Sequence, residues 1–505
     1  MARYKHYEYD QGVFLPIFFD NQILPGTFEY SLNYLVDNEI DLSIFDKRYN
    51  NDKTGAPAYD PRIMLKIVLF AYSRGITSSR KIADCCRNNI IFIALSAHTR
   101  PHFTTIADFI SSLDKEVTTL FQEIILICDE MGLIGRDMFA VDGCKLPSNA
   151  SKEWSGTKAD FKKKAVKLEK AIDHIIKKHK EIDHIEEKNK IIESDTKYIA
   201  TLKNQVKKIR DWTNKNDDRK GISGKIVKSN ITDNESAKMK TSNGVIQGYN
   251  GVAMADSKHQ VIVGAEAFGQ GAEQNLLKPM IDNTKEILET RVFENTKLTA
   301  DSGFHTRENM NMLAKEGIDA YVADNQFRKR DPRFNNAGRY KTLVKQKKGR
   351  KYSKQDFYFD PDFKFCICPA NKRLYRSGNG TDSKGNYVTR FKGPQSACVP
   401  CHLRSKCLQK PDKTKTRQVA YFHDCNTAPA TAMEKMKQKI DSEPGRLIYS
   451  KRIGTVEPVF AHIRHIMRLD RFSLRGKIKV NSQWLLFCAV HNLKKIHRYG
   501  SIAVT

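Results

Sequence analysis

The strongest constraint on what this chain can fold into is a change of hydrophobic period near residue 245. Val245 to Met254 and Gln260 to Ala265 are rich in β-branched and alternating residues, with Asp256-Ser257-Lys258-His259 between them, which predicts a β-hairpin. A helix over Leu276 to Leu288, a strand over Lys297 to Ala300, a helix over Arg307 to Glu316 and a strand over Asp319 to Ala323 are expected to follow. An earlier strand is expected at Met138 to Val141. Two antiparallel strands beside alternating strand and helix imply an α/β fold with a mixed sheet flanked by helices.

The segments around this core read differently. From Asp60 to Phe121 the pattern is helical, with Ile63, Ile67, Phe70 and Ala71 on one face, Ser78 and Ser79 capping a segment that ends at Asn88-Asn89, and Thr104-Thr105 opening another. Exposed Arg80 and Lys81 suit a helix-turn-helix, and a helical bundle with a solvated basic face is the alternative. Between Asp160 and Trp212, Leu168, Ile172, Ile175, Ile199, Leu202, Val206 and Ile209 recur at helical spacing, so a helical hairpin or dimerising coiled coil is expected, interrupted at Glu193-Ser194-Asp195. Asn214 to Thr241 reads as a mobile polar linker. The expected organisation is a helical N-terminal DNA-binding domain at 1–135, the first part of the core at 136–157, the helical insertion and linker at 158–240, the main core at 241–350, a Cys-rich insertion at 351–425 and C-terminal core helices at 426–505.

Charge narrows the partner. Lys and Arg number 86 against 58 Asp and Glu, a formal net charge of +28, so the long-range field attracts polyanions. Nucleic acid is the leading candidate, although a ribosomal or membrane-surface protein would share that balance. The chain shows no signal-peptide core and no spanning apolar run, so a cytoplasmic, soluble protein is expected.

Three acids stand out by context. Asp142, in VDGCKLPSN, and Asp301, in TADSGFH, each follow a strand-like run and stand at or just before a glycine turn, where a rigid strand end fixes a carboxylate. Glu457 lies in YSKRIGTVEPVFAHIRHIMRLDRF beside an apolar stripe of Val456, Phe460, Ile463 and Met467, and is read as sitting near a helix start. Such a trio suits in-line attack on a phosphodiester: two Mg²⁺ or Mn²⁺ stabilise the attacking and leaving oxygens, and hard ions take carboxylate ligands. Asp142 would bridge the ions, with Asp301 and Glu457 each binding one. Each acid alone also fits a turn or a helix N-terminus; Asp256 and Asp324, which also end strand-like runs, rival the aspartates, and Glu443 before Pro444 rivals Glu457.

These motifs, with GYNGVAMADSKHQVIVGAEAF and LTADSGFHTRENM, together resemble the catalytic core of DDE-type bacterial insertion-sequence transposases. The resemblance implies a ribonuclease-H-like fold and a catalytic triad of Asp142, Asp301 and Glu457. It further implies cleavage at transposon ends, transfer of 3′-hydroxyls to target DNA, action on double-stranded DNA as a dimer or larger assembly, and association with the nucleoid. Relatives carry Tyr, Arg, Glu and Lys around the third acid. Tyr449 and Arg452 match in type and Arg464 stands where the Lys would be, but one extra residue separates Arg452 from Glu457. Tyr449, Arg452, Arg464 and Arg468 are therefore expected at DNA phosphate, with Arg80 and Lys81 binding DNA from the N-terminal part. A nuclease that cuts without joining, and a DNA-binding regulator derived from a transposase, are the alternatives.

Five of the eleven cysteines fall between Cys366 and Cys407. Two close pairs about 30 residues apart have the shape of a structural zinc site, for which Cys368, Cys398, Cys401 and Cys407 are the preferred ligands and Cys366 the spare. Reduced thiols in a surface insertion are the plainer reading.

Overall fold

The computed structural model describes residues 18–48, 57–181, 188–221, 224–242, 244–334, 351–381, 387–423 and 431–501. The chain forms two compact units, Met1–Asn325 with Met436–Thr505, and Gln326–Lys435.

The first unit begins with helices α1 (Phe28–Asn38), α2 (Pro61–Ser73), α3 (Ser79–Asn88), α4 (Ile90–Leu95), α5 (Phe103–Ser112) and α6 (Lys115–Glu130). Local chemistry sets these boundaries. Asp60 caps α2 by accepting from the Arg62 N–H, with Pro61 in the first turn. Asn89 ends α3 and caps α4, accepting from the N–H groups of Ile91 and Phe92. Strand β1 (Met138–Pro147) follows, then a short pair made by β2 (Ser155–Gly156) and β3 (Ser229–Asn230). Helices α7 (Lys158–Glu181) and α8 (Lys188–Lys215) lie between the members of that pair. They pack as a hairpin through Phe161, Ala165, Ile209 and Trp212 near its base and Ile172, Leu202 and Val206 further out. Glu193-Ser194-Asp195 falls inside α8 rather than at an interruption.

The expected linker at Asn214 to Thr241 is built into the unit where it is described. Ser229, Asn230, Asp233 and Ser236 are buried. The Asn230 amide donates to the Ser151 carbonyl at 2.8 Å, and the Tyr249 hydroxyl donates to Asp233 at 2.7 Å. Short polar side chains that would suit a solvated linker here satisfy buried backbone instead.

The main sheet adds β4 (Ala237–Thr241), β5 (Gly244–Asp256), β6 (Ile262–Phe268), β7 (Lys297–Ala300) and β8 (Ala320–Val322), with α9 (Leu277–Ile287) between β6 and β7 and α10 (Arg307–Lys315) between β7 and β8. Strand order is β4-β5-β1-β7-β8, and β6 also pairs with β5. The β4, β5, β6 and β1 pairings are antiparallel, whereas β7 runs parallel to β1 and β8 parallel to β7. The expected mixed sheet flanked by helices is therefore present.

The second unit holds a short helix α11 (Phe327–Arg330) and an antiparallel sheet of β9 (Tyr358–Phe359), β10 (Phe365–Ile367), β11 (Arg373–Thr381), β12 (Tyr387–Lys392) and β13 (Gln418–Phe422) in the order β13-β12-β11-β10-β9. Phe357, Cys366, Leu374, Phe391 and Val419 form its core. Helical turns α12 (Gln395–Cys398) and α13 (Arg404–Cys407) carry Cys398 and Cys407, and Cys401 lies between them.

After α14 (Ala432–Asp441), helices α15 (Glu443–Ala461) and α16 (Lys477–Tyr499) complete the first unit. The buried side of α16 packs on β6 and on α1, α2, α5 and α6, so the N-terminal helices share one interior with the sheet. Trp484 is fully buried and its indole lies against Gly251, where a Cβ would come within 3.0 Å of the ring. The outer edge of β6 is closed by amide side chains. Asn492 accepts from the Ile262 N–H and donates to its carbonyl, both at 2.8 Å, and Asn481 accepts from the Ala267 N–H. An edge satisfied in this way offers little template to another strand.

Candidate active site

The parallel pairing of β1 with β7 sets Val141 opposite Ala300, so Asp142, the next residue of β1, and Asp301, the first residue past β7, come side by side. Both are partly buried. Asp142 accepts the Gly143 N–H at 2.8 Å on Oδ1 and an Arg452 guanidinium N–H at 2.6 Å on Oδ2. Asp301 caps the short turn Ser302–Phe304, accepting the Gly303 N–H at 2.7 Å. Burial, and then the charge of Asp142, push the Asp301 carboxyl above its ordinary range, against the pull of the Gly303 N–H, Arg452 and Lys145.

Arg452 reaches this pair from α15, which packs across β1, β5, β7 and β8. It is a buried cation, 6% exposed, with Nε lacking a hydrogen-bond partner. Burial opposes its charge, but Asp142, Tyr449 and Asp301 outweigh that and raise its pKa. Tyr449, one turn earlier, lies with its ring centroid 5.8 Å from the guanidinium.

Glu457 is exposed on the same helix. It does not lie near a helix start. Ser442 caps α15 by accepting the Gly445 N–H, Pro444 is in the first turn, and Glu443 is the acid at the N-terminus, so Glu457 sits close to the C-terminal end. Val456, Phe460, Ile463 and Met467 are buried, as the stripe implied. A π turn at His462–Ile466 alters the seven-residue step to Arg464. Even so, Cys144, two residues beyond Asp142 on the same face of β1, lies within electrostatic reach of both Arg464 and Glu457. Burial pushes the Cys144 thiol up to about 11, Arg464 opposes this, and the charges of Asp142 and Glu457 add to it.

On the other face, Lys145 lies opposite Asn250 of β5. Between them reaches Glu273, from the Gly-rich loop joining β6 to α9. Its Oε1 accepts from the Asn250 amide at 3.3 Å and lies 3.5 Å from the Lys145 ammonium. Burial raises the Glu273 pKa first, Lys145 lowers it, and Asp301 and Asp142 raise it further. Glu273 is thus the carboxylate whose charge reaches both aspartates. The sequence reading missed it because a lone acid in a loop has no periodicity to mark it; only its setting in GQGAEQN, after a strand and before a helix, hinted at it. Asp256, the rival strand-end acid, is fully buried and accepts the N–H groups of Arg136 and Lys258, which is a turn-holding role.

The donor set is all hard oxygen, which fits a divalent ion of the Mg²⁺ class. The fully buried Asn250 leaves Oδ1 without a partner beside Gly143, a further oxygen in want of a donor. Among the described residues, however, no three His, Cys, Asp or Glu side chains are grouped closely enough to hold a metal ion, and Arg452 holds one oxygen of Asp142. The acids fit the ion in chemistry and need a side-chain rearrangement to ligate it.

The remaining cations lie elsewhere in the first unit. Arg80 and Lys81 are exposed on α3, with Arg80 over the Phe103 ring at 5.0 Å. Arg468 is exposed with φ of 56°, and its stem lies against Gly75. In the second unit Cys368, Cys398, Cys401 and Cys407 line one cavity of about 30 Å³. Burial, opposed by Arg417, raises the Cys407 thiol, and the other three cysteines add to it. The Lys372 N–H points to Cys368 Sγ at 3.4 Å. Cys366 instead faces the core of that unit.

Residues 367–497 match the family model described as Transposase DDE domain, and residues 18–112 match that described as Transposase domain (DUF772). The first span includes Glu457, Arg452, Arg464 and the four cavity-lining cysteines; the second includes α1 to α5. Two transposase-associated models on one chain are consistent with a transposase-family protein. No curated protein matches the chain. Among the described residues no helix is long and apolar enough to cross a membrane.

Proposed function

We propose that this chain is a DNA transposase that cleaves at transposon ends and joins the freed 3′-hydroxyls to target DNA, using Asp142, Asp301 and Glu457. The observation that carries the reading is the meeting of Asp142 and Asp301 on adjacent parallel strands beneath a helix that bears Glu457 and Arg452. The strand order β6-β5-β1-β7-β8, with the first three antiparallel and the last two parallel to β1, supports a ribonuclease-H-like core. The two transposase-associated matches and the net charge of +28 support DNA as the partner.

Each side chain then has a task. Asp142 and Asp301, fixed by strand ends and by the Gly143 and Gly303 N–H groups, hold the ion site and keep its anionic charge in place. Glu457 would complete the ligand set from the helix once its side chain moves in toward them. Divalent ions bound there would supply Lewis acidity at the attacking and leaving oxygens. Arg452, with Tyr449 against it, and Arg464 orient the phosphodiester near the acids. Arg468, Arg80 and Lys81 neutralise the duplex backbone further out. In the second unit Cys368, Cys398, Cys401 and Cys407, which line one cavity, would hold a structural Zn²⁺ once their side chains draw together. Two DNA ends must be brought together, so the working form is a dimer or larger on DNA.

The test is cleavage and joining of a labelled duplex carrying the element's own ends, in Mg²⁺ or Mn²⁺. Wild type gives cut and joined products, and Glu457→Gln gives neither. Cut product without joining would leave a nuclease, and an Asp142→Ala protein as active as wild type would leave a reading without this catalytic triad.

A further inference from the structure

The acids that the proposed function uses do not exhaust the carboxylates at this site. Glu273 Oε2 and Asp301 Oδ1 lie 2.5 Å and 2.9 Å from a single point, the position a Cβ on Gly303 would occupy. The two carboxylates therefore converge over a glycine that leaves the space between them open. Behind them the Asn250 amide, from a fully buried side chain, donates to Glu273 and turns its partnerless Oδ1 toward Gly143, the residue after Asp142.

We infer that Glu273 is a further ligand of this site: with Asp301 it holds one divalent cation over Gly303, and Asn250 Oδ1 accepts from a water that the ion retains. This rests on the metal-dependent reading above and extends it by a residue that the triad does not contain. Electrostatics favour the assignment. Three mutually repelling carboxylates, Asp142, Asp301 and Glu273, face two protein cations, Arg452 and Lys145, so an added cation is attracted. A glutamate kept only to pair with Lys145 has no reason to be held in a half-enclosed loop against two other acids, where its charge is opposed. Hard oxygens from two carboxylates, with retained water, are what Mg²⁺ and Mn²⁺ take.

The experiment is Mn²⁺ binding to the full-length protein, alone and with an end-bearing duplex, followed by the electron paramagnetic resonance of free Mn²⁺. Wild type, Glu273→Gln, Glu273→Asp and Asp301→Asn are compared, each checked for folding by its urea midpoint in chelator. Glu273→Gln keeps an acceptor for the Asn250 amide, so it should fold and yet lose about 10- to 100-fold in Mn²⁺ affinity. Glu273→Asp, which keeps the charge but shortens the reach, should fall between and serves if the glutamine variant does not fold. Wild-type affinity in both Glu273 variants, with loss in Asp301→Asn, would overturn the inference and leave the metal-dependent reading standing. No Mn²⁺ binding by wild type under either condition would overturn both.

Discussion

Removing the Arg452 to Asp142 ion pair is the perturbation whose size the structure fixes best. The contact is 2.6 Å between Nη1 and Oδ2, with side-chain exposures of only 8% and 17%. Charge centres roughly 4 Å apart at an effective dielectric of about 20 attract by about 4 kcal/mol. Desolvation of both groups takes back part of that, so a double-mutant cycle of Arg452→Met and Asp142→Asn should give a coupling of about 2 to 3 kcal/mol. Arg452→Met alone should be the worse variant, destabilised by about 3 to 5 kcal/mol, because it leaves Asp142 beside Asp301 without a guanidinium. Asp142→Asn should cost less, since Asp301 still faces the arginine. The assay is urea unfolding in chelator followed by tryptophan fluorescence; Trp154, Trp212 and Trp484 all belong to the first unit. A coupling below about 0.5 kcal/mol would mean that the two side chains do not share a buried ion pair, since that is the range of exposed pairs.

Asp301→Asn should make the fold more stable at pH 7. The Asp301 pKa is raised in the folded state by burial and by Asp142, so its contribution is fully present below the ordinary carboxylate range and is lost as pH rises through the folded value. The gain should vanish near about pH 3, where the carboxyl is protonated folded or unfolded; a variant less stable than wild type at pH 7 would contradict this. Gly303→Ala places a methyl where the ends of Glu273 and Asp301 converge, and those ends can give way, so stability should change by less than about 1 kcal/mol while Mn²⁺ affinity falls. Gly143→Ala meets the buried Asn250 amide at 2.7 Å, which has nowhere to go, so it should lose about 1 to 3 kcal/mol in urea unfolding. Zinc analysis of the purified chain should find one ion, lost in Cys368→Ser and Cys407→Ser and kept in Cys366→Ser, whose thiol faces the core; a content well below one would remove the zinc site.

The two aspartates could be read from the chain because their placement is local: a short strand, then an acid, then a turn with glycine, is a pattern that neighbouring residues impose by themselves. The same holds for the hairpin of β5 and β6 and for the buried stripe beside Glu457, where period alone separates inside from outside. The start of α15 is also written locally, in Ser442-Glu443-Pro444, whereas the apolar stripe beside Glu457 marks the buried side of the helix and not its beginning. The polar run at Asn214 to Thr241 looked like linker because its composition suits water and buried backbone equally well, and only the packed neighbours decide between them.

What no stretch of sequence contains is the crossing order that sets β7 beside β1. That order brings two aspartates 159 positions apart into repulsion, delivers Arg452 to neutralise one of them, and folds the loop carrying Glu273 against both. Charge coupling falls off over a few ångströms of space and is indifferent to separation along the chain, so the members of the acid cluster were fixed by the fold even where each acid was visible alone.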